Sequence, residues 1–502
     1  MFRTIWPWIG LLSATYAAPQ APIDFATLLA NKTNLWSHGT VVSFPENAYF
    51  ENATERWTTW AAPSYFAAVS PATEQDVVTA IKLATSSNIS FLTTGGRHGF
   101  TVTLGELDQG LAIDLGQLDS YHIDSTAETV TIGGSTTIGD LLEPLAAAGF
   151  MIQSGSGSCP GYVGLTVGAG VGRYMGYFGL VMDGLLSARM VTADGRLVEV
   201  SATKNPDLFW GLRGAGANLG VITSATYKLH RMSDHNDGMI MNADFIFPLN
   251  HTEAYFRYLA TWSGRMPAHV AAITLVNYNT TTQEPQVHAN WIYIGPEAEA
   301  RQFLAPILAL HPASSTLTYV PWNKLLATAG GAGFNDALCQ KGANRNFYTV
   351  NLRKLTAATF QDTFDQMAAF YAGYPDAPST YINIETFPNQ ATVAVPDHAT
   401  AYPWRDAIGF IQVGIIPDEG ASAATQQAGD ALALRLRQSW VQTSGYPDLA
   451  IYVNYAHGDE TLEQIYGRTK LPRLAKLKKQ WDPTNVFGYN NGLPTSYRGT
   501  KP

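Results

Sequence analysis

Apolar and polar residues follow two different periods along the chain, and these periods predict helices and strands in a mixed order. Residues 70–86 carry an apolar position every three to four residues, which is typical of an amphipathic helix, and Thr73 can cap it. Residues 137–148 repeat this pattern. Asp194 and Gly195 lie between two apolar runs and predict a hairpin. Further strands are predicted at residues 89–93, 111–115, 121–123, 129–132, 185–191 and 196–200.

The pattern changes after about residue 232. Longer strand-like runs now alternate with helical segments, and the chain then ends in a polar, aromatic tail with one more helix at residues 471–480. This order predicts a single antiparallel sheet with helices on one face, and so a second domain. The strands are predicted at residues 239–247, 269–277, 287–293, 379–387 and 408–416, and the helices at 252–263, 296–310 and 356–372.

Composition agrees with a large folded protein. Of 502 residues, 46% are hydrophobic and 14% are charged, which is enough apolar surface for two domains or one large composite. The net charge of −9 argues against a nucleic-acid partner, because few cations are present to displace counterions from phosphates. Lys476, Lys478 and Lys479 form a small basic cluster, which we interpret as the solvated face of the last helix.

The first residues resemble a secretory signal. Residues 1–18 contain one basic residue, a short apolar run and small residues at the end, so cleavage is expected after Ala17 or Ala18. The alternative, a buried N-terminal helix, is disfavoured by Pro7. No later run is long enough to cross a bilayer, so we expect no membrane partner. Glycosylation sequons, which suit a secreted protein, occur at Asn31, Asn52, Asn88, Asn250 and Asn279.

Two glycine-rich stretches indicate a bound ligand. Residues 95–99 (GGRHG) follow a predicted strand, and adjacent glycines allow positive φ and a close approach of amide hydrogens to phosphate oxygens. Residues 155–172 are too rich in glycine for an ordinary loop, although a flexible linker is the alternative. Neither stretch has the G-x-G-x-x-G spacing, which disfavours a standard dinucleotide fold. His98 taken alone is more often a turn residue than a functional one.

The chain contains two cysteines, Cys159 and Cys339. In a secreted protein the default interpretation is a disulfide between them. Cys159, however, lies within the second glycine-rich stretch, where its thiolate could react with a bound ligand.

Several ordered motifs together resemble the berberine-bridge-enzyme branch of the vanillyl-alcohol-oxidase (PCMH-type) flavoproteins, in its secreted fungal form. The similarity extends over about residues 57–494. The resemblance implies an α+β fold in which a FAD-binding domain (57–232) is completed by a C-terminal segment (446–502), with a substrate domain (233–445) inserted between them. The motifs are TTGGRHG (93–99), SGSCPGYVG (156–164), GVGRYMGYFGLVMDGLLSARMVTADGR (170–196), NPDLFWGLRGAGANLGVIT (205–223), YVNY (452–455) and WDPTNVF (481–487).

This resemblance implies FAD as the cofactor. Residues 95–99 would hold its pyrophosphate, and His98 would bond to the flavin 8α-methyl carbon, for which a neutral imidazole is a suitable nucleophile. Cys159 matches a position that forms a thioether to flavin C6, and we favour this bond over the disulfide. The thioether would leave Cys339 free and buried. The implied cofactor contacts are Gly95, Gly96, Arg97, His98, Gly99, Gly157, Ser158, Cys159, Val163, Gly164, Gly168, Gly220, Val221, Asn454 and Asn490.

The resemblance also implies catalytic residues. The C-terminal YVNY supplies Tyr452 and Tyr455, of which Tyr452 is the favoured base, with a lowered pKa if a cation or a strong hydrogen bond lies near it. The alternative is that both tyrosines pack on the flavin. Gln412 matches a glutamine that faces the flavin. Glu385 is an alternative base, although a glutamate at a strand end is usually solvated.

The function expected is that of a secreted, monomeric FAD-dependent oxidase. It would remove a hydride from a C–H next to a hydroxyl or amine of an oligosaccharide or secondary metabolite, and dioxygen would be reduced to hydrogen peroxide. Two other classes remain: a cyclase or isomerase that uses flavin as a scaffold, and a non-catalytic binding protein. No metal-ligand spacing occurs, so no metal site is predicted.

Overall fold

The structure is a computed structural model that describes residues 22–31, 35–331 and 333–499. The predicted signal segment, 1–18, lies outside these residues. Within them, no helix is both long and apolar enough to cross a bilayer. The α-helices are α1 (Pro22–Asn31), α2 (Ala48–Thr54), α3 (Glu74–Ser86), α4 (Ile138–Ala147), α5 (Tyr162–Gly168), α6 (Met175–Phe178), α7 (Pro206–Ala215), α8 (Thr252–Thr261), α9 (Glu297–Leu308), α10 (Leu325–Thr328), α11 (Phe334–Cys339), α12 (Ala357–Gly373), α13 (Gln390–Ala394), α14 (Ala423–Thr443), α15 (Leu462–Tyr466) and α16 (Leu471–Trp481).

The strands form three larger sheets and one short ribbon. They are β1 (Val41–Ser43), β2 (Tyr65–Ser70), β3 (Phe91–Thr94), β4 (Gly110–Asp114), β5 (Tyr121–Asp124), β6 (Thr129–Gly133), β7 (Phe150–Met151), β8 (Leu185–Val191), β9 (Leu197–Ser201), β10 (Val221–Lys228), β11 (His230–Arg231), β12 (Met239–Pro248), β13 (Val270–Asn279), β14 (Glu284–Ile294), β15 (Ser314–Pro321), β16 (Asn346–Leu352), β17 (Tyr381–Thr386) and β18 (Gly409–Ile415).

The first region contains two small sheets. One has the order β1-β2-β4-β3, in which β2, β4 and β3 are parallel, and the other is antiparallel with the order β5-β6-β10-β8-β9. The predicted helix at 70–86 begins at Glu74 because Thr73 caps it: the Asp76 amide donates to the Thr73 hydroxyl, and the Thr73 amide donates to the Asp76 carboxylate. The hairpin prediction is confirmed, since β8 pairs with β9 and Gly195 has φ +72°.

The inserted region is one antiparallel sheet with the order β15-β12-β14-β13-β17-β18-β16. Helices α8, α9, α12 and α14 pack on one face around a shared apolar core. The first three were predicted, whereas α14 was absent from the prediction. The other face carries Ile273, Leu275 and Phe410, which pack in the core of the first region. The two edge strands, β15 and β16, were absent from the prediction. The α+β fold class is confirmed.

The last helix differs from its prediction at one residue. Lys476 and Lys479 are exposed, but Lys478 is fully buried. Its ammonium lies 2.7 Å from the Asp482 carboxylate and also donates to the carbonyls of Asn218 and Phe487. Burial lowers the pKa of Lys478, and Asp482 opposes this shift. The interpretation of Lys478 as part of a solvated face is therefore wrong.

We expect Asp482→Ala to lower the free energy of unfolding by about 3–5 kcal/mol, because it leaves the Lys478 charge buried without its partner. Denaturant unfolding followed by tryptophan fluorescence measures the change. The matched control is Asp207→Ala, which removes an ion pair with Arg473 that is largely exposed, and which should cost less than about 1 kcal/mol. Equal losses in the two variants would contradict a structural role for the buried pair.

Candidate functional site

A large cavity lies between the first region and the inserted sheet, and its volume is about 1760 Å³. The loop after β3, the second glycine-rich stretch, strands β17 and β18, and the C-terminal segment contribute its walls. A second cavity of about 990 Å³ shares the lining residues Thr93, Gly95, Gly134, Gly164 and Asn454 with it. The two cavities are therefore adjacent, and together they are called the trough.

The structure brings most of the predicted site residues to this trough. Three of them line neither cavity: Ser158, Cys159 and Tyr452. The larger cavity is lined by Gly95, Gly96, Arg97, His98, Gly99, Gly157, Gly164, Gln412, Asn454, Tyr455 and Asn490. The smaller cavity adds Val163, Gly168, Gly220 and Val221.

The glycine pair after β3 is required by close backbone packing. A Cβ at Gly95 would lie 2.8 Å from the Gly134 carbonyl oxygen, and a Cβ at Gly96 would lie 2.5 Å from the Gly161 amide nitrogen. Neither glycine has a positive φ, so that expectation was wrong; instead Arg97 has φ +54°. Its side chain is held by an ion pair with Asp114 and by donation from Nε to the Glu55 carbonyl at 3.0 Å. These contacts hold Arg97 in its left-handed conformation, and the next residue, His98, lies in the cavity wall.

Gly164 in α5 has a different reason to lack a side chain. It lines both cavities, and a Cβ built on it meets no atom within 4 Å. A side chain there would project into the trough. One turn later, Gly168 is closely covered by the Asn454 side chain. The surface around Gly164 is thus a smooth floor that a flat ligand can lie against.

His98 presents an unpartnered nitrogen in the cavity wall. Its Nε2 is buried and has no hydrogen-bond partner among the described residues. The ring stacks on Trp57 with a centroid distance of 4.2 Å and an interplanar angle of 19°. Burial, and secondarily the Arg345 charge, lowers the pKa of His98 to about 3. The imidazole is therefore neutral at physiological pH, which is the form that acts as a nucleophile.

The two cysteines differ from the favoured expectation. Cys159 and Cys339 form a disulfide that joins the second glycine-rich stretch to α11. Asn335 reinforces the connection, since its side chain accepts from the Ser158 amide and donates to the Ser158 hydroxyl. The favoured thioether from Cys159 and the expectation of a free, buried Cys339 are therefore corrected. The disulfide that the two cysteines alone gave as the default interpretation is the bond that forms.

The two tyrosines of YVNY occupy different environments. The Tyr452 hydroxyl is fully buried and accepts hydrogen bonds from the Gly170 amide (3.0 Å) and the Asn454 side chain (2.7 Å). Burial raises its pKa, and the hydrogen bonds from Asn454 and Gly170 only oppose this shift, so the lowering expected beside a strong hydrogen bond does not occur. Tyr455 lines the cavity, and its hydroxyl donates to Glu385 Oε2 at 3.0 Å. Of the two, Tyr455 is the one that a ligand in the cavity can reach.

Glu385 lies on β17 in the cavity wall and is only 3% exposed, so the expectation of a solvated carboxylate is wrong. Burial raises its pKa to about 7, although the Tyr455 hydrogen bond and the Arg173 charge oppose the shift. A carboxyl group with this pKa exchanges a proton near neutral pH.

The polar wall around Glu385 follows from strand register. Asn383 lies two residues before Glu385 on β17, and it pairs with Gln412 of β18, which also lines the cavity. Residues two apart on a strand share a face, so the sequence of β17 already indicated that Asn383 and Glu385 lie on the same side of the sheet. Arg56, Trp57 and Arg173 also line the cavity and were missed by the sequence analysis.

The trough combines a smooth glycine floor with a neutral buried imidazole and a carboxyl group that can gain or lose a proton near neutral pH. This combination suits a covalently held redox cofactor with a proton acceptor beside it. These are features of a flavin-dependent oxidoreductase. The comparisons with known proteins agree. Residues 66–201 match the model of the FAD binding domain, and residues 451–494 match the model "Berberine and berberine like".

The FAD-linked oxidoreductase fogF of Aspergillus ruber is 52% identical over 491 residues, which cover 98% of each chain. Among solved structures, BBE-like 1 of Physcomitrella patens has a TM-score of 0.81 at 21% identity and covers 94% of this chain and 100% of its own. Glucooligosaccharide oxidase of Acremonium strictum, described with a 6-S-cysteinyl, 8α-N1-histidyl FAD, has a TM-score of 0.79 at 21% identity, with 94% and 99% coverage. The chain belongs to the family of FAD-linked oxidoreductases with a berberine-bridge-type C-terminal segment, and its cofactor is FAD.

Proposed function

We propose that this protein is an alcohol oxidase in which Glu385 and Tyr455 accept the substrate's hydroxyl proton and dioxygen is the final electron acceptor. The observation that carries the proposal is the buried Tyr455–Glu385 hydrogen bond in the same cavity as His98. Bound FAD supplies the two-electron oxidation.

The residues that hold FAD are proposed from the walls of the trough. Gly164 and its neighbours provide the floor, and the His98 nitrogen without a partner forms the covalent bond. A neutral imidazole suits this bond because its lone pair is available. Since Cys159 is held in the disulfide, His98 is the single covalent attachment in this proposal.

Proton removal is assigned to the Tyr455–Glu385 pair. The Tyr455 hydroxyl donates to Glu385, so its oxygen is free to accept the proton of a substrate hydroxyl. Burial and the Glu385 charge raise the pKa of Tyr455, so a free tyrosinate is disfavoured. The tyrosine therefore passes its own proton to Glu385 as it receives the substrate proton.

The lining of the cavity favours an apolar alcohol over an oligosaccharide. Ile273, Leu275, Leu326, Ala329 and Phe334 form much of the wall beyond the polar residues. A sugar presents hydroxyls around its ring, and those that meet these five side chains would lose water without gaining hydrogen-bond partners. An aromatic or aliphatic body would bury its surface there favourably.

The function is tested by mixing the oxidised holoenzyme anaerobically with a panel of aromatic and aliphatic alcohols and with xylobiose. We expect flavin bleaching with an apolar alcohol, and peroxide formation when air is admitted. Bleaching by xylobiose alone would contradict the apolar substrate. Product formation without bleaching would instead identify a cyclase or isomerase, and no reaction with any alcohol would contradict the proposed function.

We also propose that the protein is secreted. The sequon residues Asn52, Asn88 and Asn250 are exposed, and a disulfide suits an oxidising compartment. Recovery of the protein from the culture medium of its native host, with a mass that falls on enzymatic deglycosylation, is the expected result. An intracellular protein without glycans would contradict it.

A further inference from the structure

Arg173 is a buried cation in the cavity wall that lacks a partner. It follows the second glycine-rich stretch and is 4% exposed. Its Nε and Nη1 have no hydrogen-bond partner among the described residues. A buried guanidinium without partners is costly, and such groups are usually paired with a carboxylate or a ligand. The role assigned to Glu385 and Tyr455 does not account for these free donors.

The nearby carboxylates do not satisfy Arg173. Asp244 and Glu385 are close enough to affect its pKa, but burial is the larger influence and lowers it. The Asp244 oxygens already accept hydrogen bonds from Asn242, Asn290 and the Gly330 amide. Glu385 accepts from Tyr455. The donors of Arg173 therefore remain available to a molecule in the cavity.

Apolar side chains border the polar wall in this part of the cavity, since Ile273 pairs with Glu385 and Leu275 with Asn383. Ile273 and Leu275 come from β13, and Leu326, Ala329 and Phe334 come from the segment around α10 and α11. The combination of one cation with free donors and an apolar wall is complementary to an amphipathic anion. It is less complementary to a neutral molecule that carries many hydroxyls.

We propose that Arg173 binds an anionic oxygen, of a carboxylate or a phenolate, on a substrate whose body is otherwise apolar. This contact would hold the substrate so that its alcohol group reaches Tyr455 and Glu385. An arginine suits the task because its planar donors match the oxygens of such groups and it stays charged. The inference rests on the proposed function for the identity of the reacting group, but its binding test does not require turnover.

The test is calorimetric titration of the wild-type holoenzyme with benzoate and with its neutral counterpart benzamide, below the pKa of Glu385, about 7, so that Glu385 adds little repulsion. A second pair, 2,4-dinitrophenolate and 2,4-dinitroaniline, examines the phenolate source. We expect the anion of at least one pair to bind about ten- to a hundredfold more tightly than its neutral counterpart. The pair with the larger preference identifies the source. Equal binding within both pairs would overturn the proposal.

Variants then test whether Arg173 causes the preference for the anion over its neutral counterpart. Arg173→Gln should abolish it, and Arg173→Lys should restore part of it. The control is Arg231→Gln, which removes an exposed charge paired with Glu128 that lines neither cavity, and which should keep the preference. An unchanged preference in Arg173→Gln at normal flavin content would overturn the proposal, and a lowered flavin reduction potential in that variant would then assign Arg173 to the cofactor. If Arg173→Gln fails to fold, the wild-type titrations and Arg173→Lys decide.

Failure of the two proposals is distinguishable. Selective anion binding with no alcohol able to bleach the flavin would retain the Arg173 site and reject the oxidase. Bleaching by neutral alcohols with no anion preference would retain the oxidase and reject the Arg173 site.

Discussion

In a Glu385→Gln variant, we expect the rate of anaerobic flavin reduction at saturating alcohol to fall by about a hundred- to ten-thousandfold. The amide keeps the size of the side chain and can still accept the hydrogen bond from Tyr455, but it cannot take a proton at neutral pH. Stopped-flow absorbance of the oxidised flavin measures the rate. Flavin content should stay at the wild-type level, because Glu385 contacts Tyr455 rather than the glycine floor.

The role of Glu385 as proton acceptor also predicts the direction in which kcat/KM changes with pH. Because burial raises the pKa of Glu385 to about 7, the carboxyl is protonated below that pH and cannot accept a proton. In the wild-type protein kcat/KM should therefore rise with pH through about 7 and level off above it. The rise should be absent in Glu385→Gln.

The chain offers a matched control for this variant. Tyr293 donates to Glu299 at 3.2 Å, and this glutamate is exposed and lies outside the cavity. Glu299→Gln should leave the rate and the pH profile unchanged. If Glu385→Gln kept a wild-type rate, or if the rise near pH 7 persisted in it, the base would have to be sought elsewhere.

For His98→Ala, we expect complete loss of covalent flavin. Acid precipitation of the wild-type protein should leave the yellow chromophore in the pellet, whereas the variant should release it into the supernatant. The physical reason is that His98 Nε2 is the buried nucleophilic nitrogen without a partner in the cavity wall. Absorbance of the two fractions at the flavin maximum measures the effect, and peptide mapping identifies the modified residue.

Cys159→Ser is the control for this experiment. Because Cys159 is bonded to Cys339, its replacement should leave the flavin attached to the pellet. A non-reducing peptide map of the wild-type protein should contain the Cys159–Cys339 peptide pair. A yellow pellet from His98→Ala, with flavin on the Cys159 peptide, would contradict both the single attachment and the disulfide.

Local chemistry explains what could be read before the fold was known. The capped helix at Thr73, the hairpin at Gly195 and the five named strands of the inserted sheet depend on neighbours within a few residues. The edge strands were missed for two reasons. β15 is rich in serine and threonine and is partly exposed, whereas β16 has Asn346, Thr349 and Asn351 at irregular intervals among its apolar residues. Neither strand has the period on which the prediction relied.

The same division applies to the site. The sequence by itself determined the glycine-rich stretches and the histidine within the first of them, because close backbone approach and a nucleophilic ring are properties of those residue types. The tertiary structure decided which groups share the cavity: it buried Glu385 beside Tyr455, left Arg173 without a partner, and placed Cys339 next to Cys159. Burial, and contacts between residues far apart in the sequence, set the protonation of these side chains. No local sequence pattern encodes that burial or those contacts.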